Sequence, residues 1–182
     1  MEVEQLMTRE VGFCARTDSL NVAARIMWER DCGCVPAVDN NMVPVGIITD
    51  RDICMAAYTQ GESLHAIQVQ TILAAPVASC APDDDVITAE QLMRDNRVRR
   101  LAVCDLAGKL VGIISLSDLA REAERERRGG SGRAVKSAEL AQVLGAVSEP
   151  RSHAIAPMPF GPEAGETEYP PKPPIKRGHA NR

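Results

Sequence analysis

The order of apolar and polar positions along residues 11–28 predicts a short strand followed by a helix. Residues 11–14 form a short run that is mostly apolar. Asp18 and Ser19 are both suitable helix N-caps, and the apolar residues behind them recur at the spacing of one helix face. These apolar residues are Leu20, Ala23, Ala24, Met27 and Trp28.

A β-hairpin and a second helix are predicted to follow. The apolar run CVPAV at 34–38 leads into Asp39-Asn40-Asn41, residue types that favour a turn. Residues 43–48 form another apolar run, so the two runs are predicted to pair as a hairpin. A helix is then predicted to begin at about Asp50. The unit therefore has the order β-α-β-β-α.

An internal repeat relates two parts of the first 128 residues. A shift of 66 positions aligns residues 11–53 with residues 77–119 without a gap, and twelve of the 43 aligned positions are identical. Other pairs keep their chemical character, such as Thr49 with Ser115. The identical residues are, in the first copy, Val11, Cys14, Ala15, Asp18, Ala23, Met27, Asp39, Val45, Gly46, Ile47, Ile48 and Asp52.

The second copy is predicted to repeat the elements of the first. The expected elements are a strand at 77–80, a helix at 85–96, strands at 99–104 and 110–114, and a helix from 116 to about 127. A single unit of roughly 50 residues cannot easily cover the apolar face of its sheet. Two copies can pack sheet to sheet about a pseudo-twofold axis, leaving two related clefts where strands meet helix starts. The predicted fold class is α+β, with two tandem β-α-β-β-α repeats and a flexible C-terminal tail.

The composition changes near residue 129, and this change sets the predicted boundaries. Residues 1–128 hold 14 Lys and Arg against 20 Asp and Glu, whereas residues 129–182 hold 7 against 5. We expect repeats at 3–60 and 70–128, a Gly-rich linker at 129–134, a short amphipathic helix at 135–147 and a disordered Pro-rich tail at 148–182. The helix would dock on the repeats or on a partner through Leu140, Val143, Leu144 and Val147.

Composition and charge exclude several classes of function. Aromatic residues make up only 3% of the chain, which argues against a stacking platform for single-stranded nucleic acid. A net charge of −4 provides no basic surface for DNA or an anionic membrane. No apolar run approaches the ~18 residues of a membrane span, and the opening MEVEQLMTREVG does not match a signal peptide. We therefore expect a cytoplasmic protein whose thiols are reduced.

The residues that carry most enzyme chemistry are not found in a recognisable arrangement. The six cysteines do not form two CxxC pairs, and Cys32 and Cys34 are the only close pair. Small buried or half-buried thiols are therefore favoured over a zinc site. No P-loop, GxGxxG motif or His–carboxylate–nucleophile set is present. We predict a protein that is not an enzyme and needs no metal or cofactor.

The most specific local pattern is a strand ending in a hydroxyl residue, with an aspartate three positions later. It occurs as GIITDRD and again as GIISLSD. One interpretation is a helix cap, because Thr49-x-x-Asp52 and Ser115-x-x-Asp118 resemble capping boxes with Asp in place of Glu. The other is a ligand site, because a helix start attracts phosphate and a carboxylate can accept hydrogen bonds from ribose hydroxyls. The two interpretations are compatible.

The pattern V-P-x-V-D followed by V-G-I-I-T-x-x-D, with its echo in the second copy, resembles the CBS domain family over roughly residues 3–128. The resemblance implies a CBS pair that binds AMP, ADP, ATP, S-adenosylmethionine or NAD and commonly forms a dimer. It implies contacts to phosphate or ribose from Thr49, Asp52, Ser115 and Asp118. It also implies that strand residues border the base, namely Cys14, Ala15, Val35 and Pro36 in the first copy and Cys80, Ala81, Leu101 and Ala102 in the second.

The two copies differ at positions that bear on ligand binding. Ser117 of the second copy stands where the first has Arg51. The second copy also carries Arg97, Arg99 and Arg100 around the start of its second strand. These are either a solvated basic stretch, or Arg99 or Arg100 reaches a ligand phosphate across the cleft, since guanidinium suits phosphate geometry. Arg51 is a similar candidate. The first copy has the more typical neighbours, so we favour its site.

The leading hypothesis is a regulatory sensor that binds an adenosine-type ligand and transmits occupancy to a separate effector protein. A homodimer is expected, and neither nucleic acid nor a membrane is an expected partner. The alternative is an interaction scaffold with vacant clefts that recruits a partner through its C-terminal helix and tail.

Overall fold

The computed structural model describes residues 1–73, 77–129 and 135–149. The first repeat forms one three-stranded sheet in the order β1-β2-β3, with β1 parallel and β3 antiparallel to β2. Its elements are β1 (Cys14–Ala15), α1 (Leu20–Glu29), β2 (Cys34–Val38), β3 (Pro44–Thr49) and α2 (Asp50–Gln60).

The second repeat forms a second sheet in the order β4-β5-β6 with the same strand directions. The register is conserved between the sheets: Cys34 lies opposite Thr49, and Arg100 lies opposite Ser115. The predicted α+β fold of two tandem repeats is confirmed. The elements of this repeat are β4 (Ser79–Cys80), α3 (Val86–Asp95), β5 (Arg100–Cys104), β6 (Leu110–Ser115) and α4 (Leu116–Gly129).

The first strand of each repeat is shorter than predicted. β1 begins at Cys14 rather than at residue 11, and β4 begins at Ser79 rather than at residue 77. The Val11 N–H donates to the Arg9 carbonyl at 3.0 Å, so this stretch turns locally instead of joining the sheet. Each short strand forms only two residue pairs with its neighbour.

The first helix packs largely as its apolar pattern predicts. Ser19 occupies the N-cap position, while the Asp18 carboxylate accepts the Ala15 N–H at 2.8 Å and so holds the preceding turn. Leu20, Ala23 and Met27 are buried. Trp28 is the exception: it lies near the end of α1, beyond the edge of the core, and is 88% exposed.

The segment that precedes each repeat packs on the other repeat. Val3 donates its N–H to the Asp84 carbonyl at 2.9 Å and belongs to the core of the second repeat. Val69, 66 positions later, donates to the Asp18 carbonyl at 2.8 Å and belongs to the core of the first repeat. Each core is therefore completed by chain that lies outside its own repeat.

A fifth helix, α5 (Ser137–Ser148), packs against α3 and α4. Val143 is buried, and Leu140 and Val147 pack partly against the core of the second repeat. Leu144, which the apolar pattern placed on the same face, is half exposed. The helix therefore docks on the second repeat through most of its predicted face.

The remaining predicted segments fall partly beyond the structure. Gly129 is the last residue of α4, and the rest of the Gly-rich linker lies outside the described residues, as does the Pro-rich tail from Pro150 onward. Within the described ranges, no helix has the length and apolar character needed to cross a membrane.

Candidate ligand-binding site

The junction between β3 and α2 is held by a reciprocal cap. Thr49 adopts extended backbone angles at the N-cap, and its hydroxyl accepts the Asp52 N–H at 3.3 Å. The Asp52 carboxylate oxygen Oδ2 accepts both the Thr49 N–H at 2.8 Å and the Thr49 hydroxyl at 2.7 Å. The capping interpretation of this motif is therefore realised in the structure.

The junction between β6 and α4 repeats this arrangement. The Asp118 oxygen Oδ2 accepts the Ser115 N–H at 2.8 Å and the Ser115 hydroxyl at 2.6 Å. The Asp118 N–H in turn points to the Ser115 hydroxyl at 3.4 Å. The two junctions therefore share one hydrogen-bonding arrangement, set by a hydroxyl residue followed three positions later by aspartate.

The second carboxylate oxygen distinguishes the two junctions. The Oδ1 atom of Asp118 accepts a short hydrogen bond from Arg121, and Asp118 is only 9% exposed. Asp52 is exposed, and its Oδ1 atom accepts no hydrogen bond from the described part of the chain. Met55, which is three residues after Asp52 and corresponds to Arg121, has no hydrogen-bond donor in its side chain. The first junction therefore presents a carboxylate oxygen that a ligand can reach.

Arg100 extends from the second repeat towards the first junction. A Cβ atom at Gly33 would lie 3.7 Å from a guanidinium nitrogen of Arg100 and 3.7 Å from Oδ2 of Asp50. Cys34, which is paired with Thr49 across the sheet, is also close enough for Arg100 to act on its charge: burial raises the pKa of the Cys34 thiol, and the guanidinium opposes that rise. Residues from both repeats therefore meet beside the start of α2.

The backbone N–H groups at the start of α2 are already paired. Asp50 N–H points to the Gly33 carbonyl at 3.4 Å, and Arg51 N–H donates to the Asp50 carboxylate at 2.8 Å. The third, from Asp52, points to the Thr49 hydroxyl. A phosphate at this helix start would therefore depend on guanidinium groups more than on backbone amides. Arg51 is exposed and has no ion pair within the described residues.

The residues expected to border a base lie mostly inside the two cores. Ala15 and Ala81 are half-buried, and each donates its N–H at 2.8 Å to an aspartate three residues later. Ser117 and Arg51, at corresponding positions of α4 and α2, face solvent. The fully buried members of the expected set are Cys14, Val35, Pro36, Cys80, Leu101 and Ala102.

Burial keeps most of the thiols in their protonated form. It raises the pKa of Cys14 to about 11, helped by Asp18, and that of Cys80 to about 12, helped by Asp84. Burial also raises the pKa of the Cys104 thiol. In the described ranges, no three His, Cys, Asp or Glu side chains are grouped so that they could hold a metal ion.

Sequence reasoning missed two features of this site. Asp50 and Gly33 lie beside Arg100, a contact between repeats that no local pattern indicates. The pairing of Arg121 with Asp118 could have been found from their spacing, because side chains three positions apart meet on a helix.

The sequence model of the CBS domain matches residues 3–58 and 69–125. These two matches cover most of the chain and coincide with the two structural repeats. The chain belongs to the CBS domain family and carries two CBS domains.

Several curated proteins are similar to this chain. An uncharacterized protein of Methanopyrus kandleri is 32% identical over 119 residues, which is 65% of this chain and 61% of that protein. The CBS domain-containing protein YhcV of Bacillus subtilis is 30% identical over 129 residues, which is 71% of this chain and 90% of YhcV. A homoserine O-acetyltransferase of Methanococcoides burtonii is 29% identical over 119 residues, but the match spans only 23% of that enzyme.

Solved structures share the fold. A CBS domain protein of Thermoplasma acidophilum superposes with a TM-score of 0.65 at 23% identity, over 80% of this chain and 75% of that one. A CBS domain protein of Pyrobaculum aerophilum, complexed with AMP, has a TM-score of 0.60 at 22% identity, over 80% and 100%. The CBS domain pair of MJ0100, in complex with 5′-methylthioadenosine and S-adenosyl-L-methionine, has a TM-score of 0.58 at 24% identity, over 67% and 98%.

Proposed function

We propose that this CBS pair is a regulatory sensor that binds one adenosine-type ligand at the junction of β3 and α2. The observation that carries the proposal is the exposed Oδ1 atom of Asp52, which has no partner among the described residues. The corresponding oxygen of Asp118 is occupied by Arg121. The proposal therefore assigns binding to the first junction and leaves the second one closed.

Each group at the first junction has a defined part in binding. The cap fixes the Asp52 carboxylate, whose free oxygen accepts hydrogen bonds from ribose hydroxyls. Arg51 and Arg100 supply the positive charge for a phosphate, or Asp50 and Asp52 supply negative charge for a sulfonium ligand. The complexes of related folds with AMP and with S-adenosyl-L-methionine support this class of ligand.

The proposed role is regulatory and not catalytic. The pKa values of the buried thiols Cys14 and Cys80 and of the half-buried Cys34 are raised, which leaves them poor nucleophiles at neutral pH. The homoserine O-acetyltransferase of Methanococcoides burtonii matches over only 23% of its length, so the resemblance concerns one part of that enzyme and not the whole. Occupancy of the site would then act on a separate effector protein.

We also propose that the chain forms a homodimer. Three large apolar side chains, Trp28, Met55 and Tyr58, are exposed on α1 and α2. An exposed apolar surface of this kind is typically buried in a homodimer interface. Light scattering after size-exclusion chromatography tests this proposal, and Trp28→Ser should shift the mass towards that of the monomer.

Thermal unfolding with AMP, ADP, ATP, S-adenosylmethionine and NAD tests the proposed site. A ligand that binds only the folded state raises the melting temperature as its concentration exceeds the dissociation constant. We expect at least one of the five to raise it in the wild type. Asp52→Asn should abolish the shift, and Asp118→Asn, its counterpart 66 positions later, should retain it. No shift with any ligand, or loss of the shift only in Asp118→Asn, would contradict the proposal.

One observation favours the alternative of an interaction scaffold with vacant clefts. Six of the residues expected to border a base are buried in the cores, so they offer little open surface. In that case α5 and the tail would recruit the partner. A pull-down that survives Asp52→Asn but fails after truncation at Arg128 would support the scaffold over the sensor.

A further inference from the structure

Two carboxyl groups meet where α5 docks on α3. Glu90 projects from α3 and is only 3% exposed, and Glu139 projects from the first turn of α5. The Oε1 atom of Glu90 and the Oε2 atom of Glu139 are both buried, and neither has a hydrogen-bond partner among the described residues. Both residues line one cavity of about 200 Å³ between the helices. A buried polar atom without a partner is costly, so a donor or cation placed between these two acceptors would stabilise the docked helix.

The charged groups around Glu90 and Glu139 compensate only one of the two negative charges. Lys136 donates to the other oxygen of Glu139 at 3.0 Å, so one cation already faces one of the two carboxylates. Arg94 lines the same cavity, but its guanidinium lies 3.2 Å from Asp95. Asp85, at the start of α3, adds negative charge and is itself 3.6 Å from the Met1 ammonium group. With Lys136 against Glu139, the two carboxylates retain one uncompensated negative charge.

A single proton removes this charge and satisfies both acceptors. A protonated Glu90 can donate one hydrogen bond to Oε2 of Glu139, which leaves no orphan oxygen of the pair. A divalent metal ion would instead leave an excess of positive charge beside Lys136 and Arg94, with only two carboxylates as ligands. We infer that docking of α5 on α3 takes up one proton, shared between Glu90 and Glu139, and that α5 is released as the pH rises.

The direction of the pH dependence follows from the carboxyl group. Burial, followed by the charges of Glu139 and Asp85, raises the pKa of Glu90 from 4.5 to about 7. A raised acid pKa means that the docked state binds the proton more tightly than the undocked one. Docking is therefore strongest below about pH 4.5 and weakens as the pH rises to about 7. The docking equilibrium changes by up to tenfold per pH unit in that interval.

Release of α5 changes the surface of the second repeat. Val143 is buried in the docked state, and Leu140 and Val147 pack beside it against the core of that repeat. Two further contacts hold the ends of the helix: the Val135 N–H donates to Glu126 at 3.2 Å, and Arg97 lies 3.3 Å from Glu149. Weakening the central contact therefore lowers the free energy that holds this apolar helix face on the second repeat.

Hydrogen–deuterium exchange of residues 135–149 in the full chain, corrected for intrinsic rates, tests the inference from pH 4.5 to pH 8. In the wild type we expect protection to fall by tenfold or more across this range. Glu90→Gln, which imitates the protonated form, should stay protected at every pH, and Glu139→Gln should also lose the pH dependence. Glu149→Gln serves as a control, because it removes a contact at the helix end and should lower protection equally at all pH values.

Three results would overturn the inference. The first is wild-type protection that does not vary with pH, and the second is protection of Glu90→Gln that varies with pH as the wild type does. The third is protection at pH 8 that Mg²⁺ or Ca²⁺ restores in the wild type but not in Glu90→Gln, because the shared cation would then be a metal ion.

Discussion

Gly112 of β6 packs directly against the side chain of Met7. A Cβ atom at position 112 would lie 2.6 Å from the Met7 sulfur and 3.1 Å from the Thr8 carbonyl oxygen. Gly46, its counterpart in the first repeat, meets Leu73 in the same way, at 2.4 Å from a terminal methyl carbon. The absence of a side chain at the glycine of each G-I-I motif thus leaves space for the segment that packs on the repeat from outside it.

Gly112→Ala should lower the free energy of unfolding by about 1–3 kcal/mol, because the added carbon meets backbone as well as side chain. Gly46→Ala should cost less, since all three nearest atoms belong to the Leu73 side chain, which can rotate away. Urea unfolding measures both changes. Gly145→Ala in α5 is the control: no atom lies within 4 Å of the added carbon, so it should not destabilise the protein. Equal losses at positions 46 and 112 would contradict this explanation.

Val3→Ala should weaken the second repeat although Val3 precedes β1 of the first. Its side chain is fully buried in the second core, so truncation should cost about 1–3 kcal/mol. Hydrogen exchange should show the larger loss of protection within residues 77–129. Val69→Ala is the matched control and should weaken residues 11–60 instead. If both variants weakened the same repeat, the packing of each leading segment on the other repeat would not explain their effects.

The residue three positions after each aspartate should decide how many ligands bind. Arg121→Met removes the guanidinium that occupies Asp118 and gives the second junction the residue of the first. Met55→Arg does the reverse and should close the junction at Asp52. With AMP as the probe, titration calorimetry should give one site in the wild type, two in Arg121→Met and none in Met55→Arg. Asp118 is only 9% exposed, so Arg121→Met should also lower the stability, and urea unfolding should show that the variant is still folded under the titration conditions. Unchanged stoichiometry in both variants would show that this position does not control binding.

Alkylation by iodoacetamide at pH 8 should separate the thiols by burial. Cys54 is exposed and should be modified in the folded protein. Cys14 has a pKa raised to about 11, so only about one in a thousand of its thiols is ionised at pH 8, and Cys80 is ionised still less. Mass spectrometry of peptides should find both unmodified until urea is added. Rapid labelling of Cys14 in the native protein would contradict its burial.

The repeat made most of the fold predictable, because twelve identities in register fix corresponding elements in both copies. The short strands were overestimated at Val11 because apolar character alone does not reveal that its N–H is used in a turn. The sequence does not indicate that the segment before each repeat packs on the other repeat, although Val3 and Val69 are identical residues separated by the same 66 positions. A repeat shows that two segments correspond, but not which core each one enters.

The candidate site was predictable at Thr49 and Asp52 and less so around them. Their spacing specifies the cap, and the cap holds the carboxylate in the expected place. The difference between the junctions depends on Met55 and Arg121, positions outside the recognised motif. Glu90 on α3 and Glu139 on α5 are far apart in the sequence, so no periodic pattern could indicate that their carboxyl groups lie at one cavity.

The pairing of Thr8 with Ile113 affects the order in which the chain folds during synthesis. Thr8 pairs with Ile113 through backbone hydrogen bonds of 2.9 and 3.0 Å, although β6 is translated long after residue 8. The first repeat can bury Val69 as soon as its own sheet has emerged, whereas the second cannot close without a segment made much earlier. Residues 1–8 therefore stay unpaired until β6 has been synthesised. Nascent chains that end before β6 should expose Val3 and Met7 to chaperones.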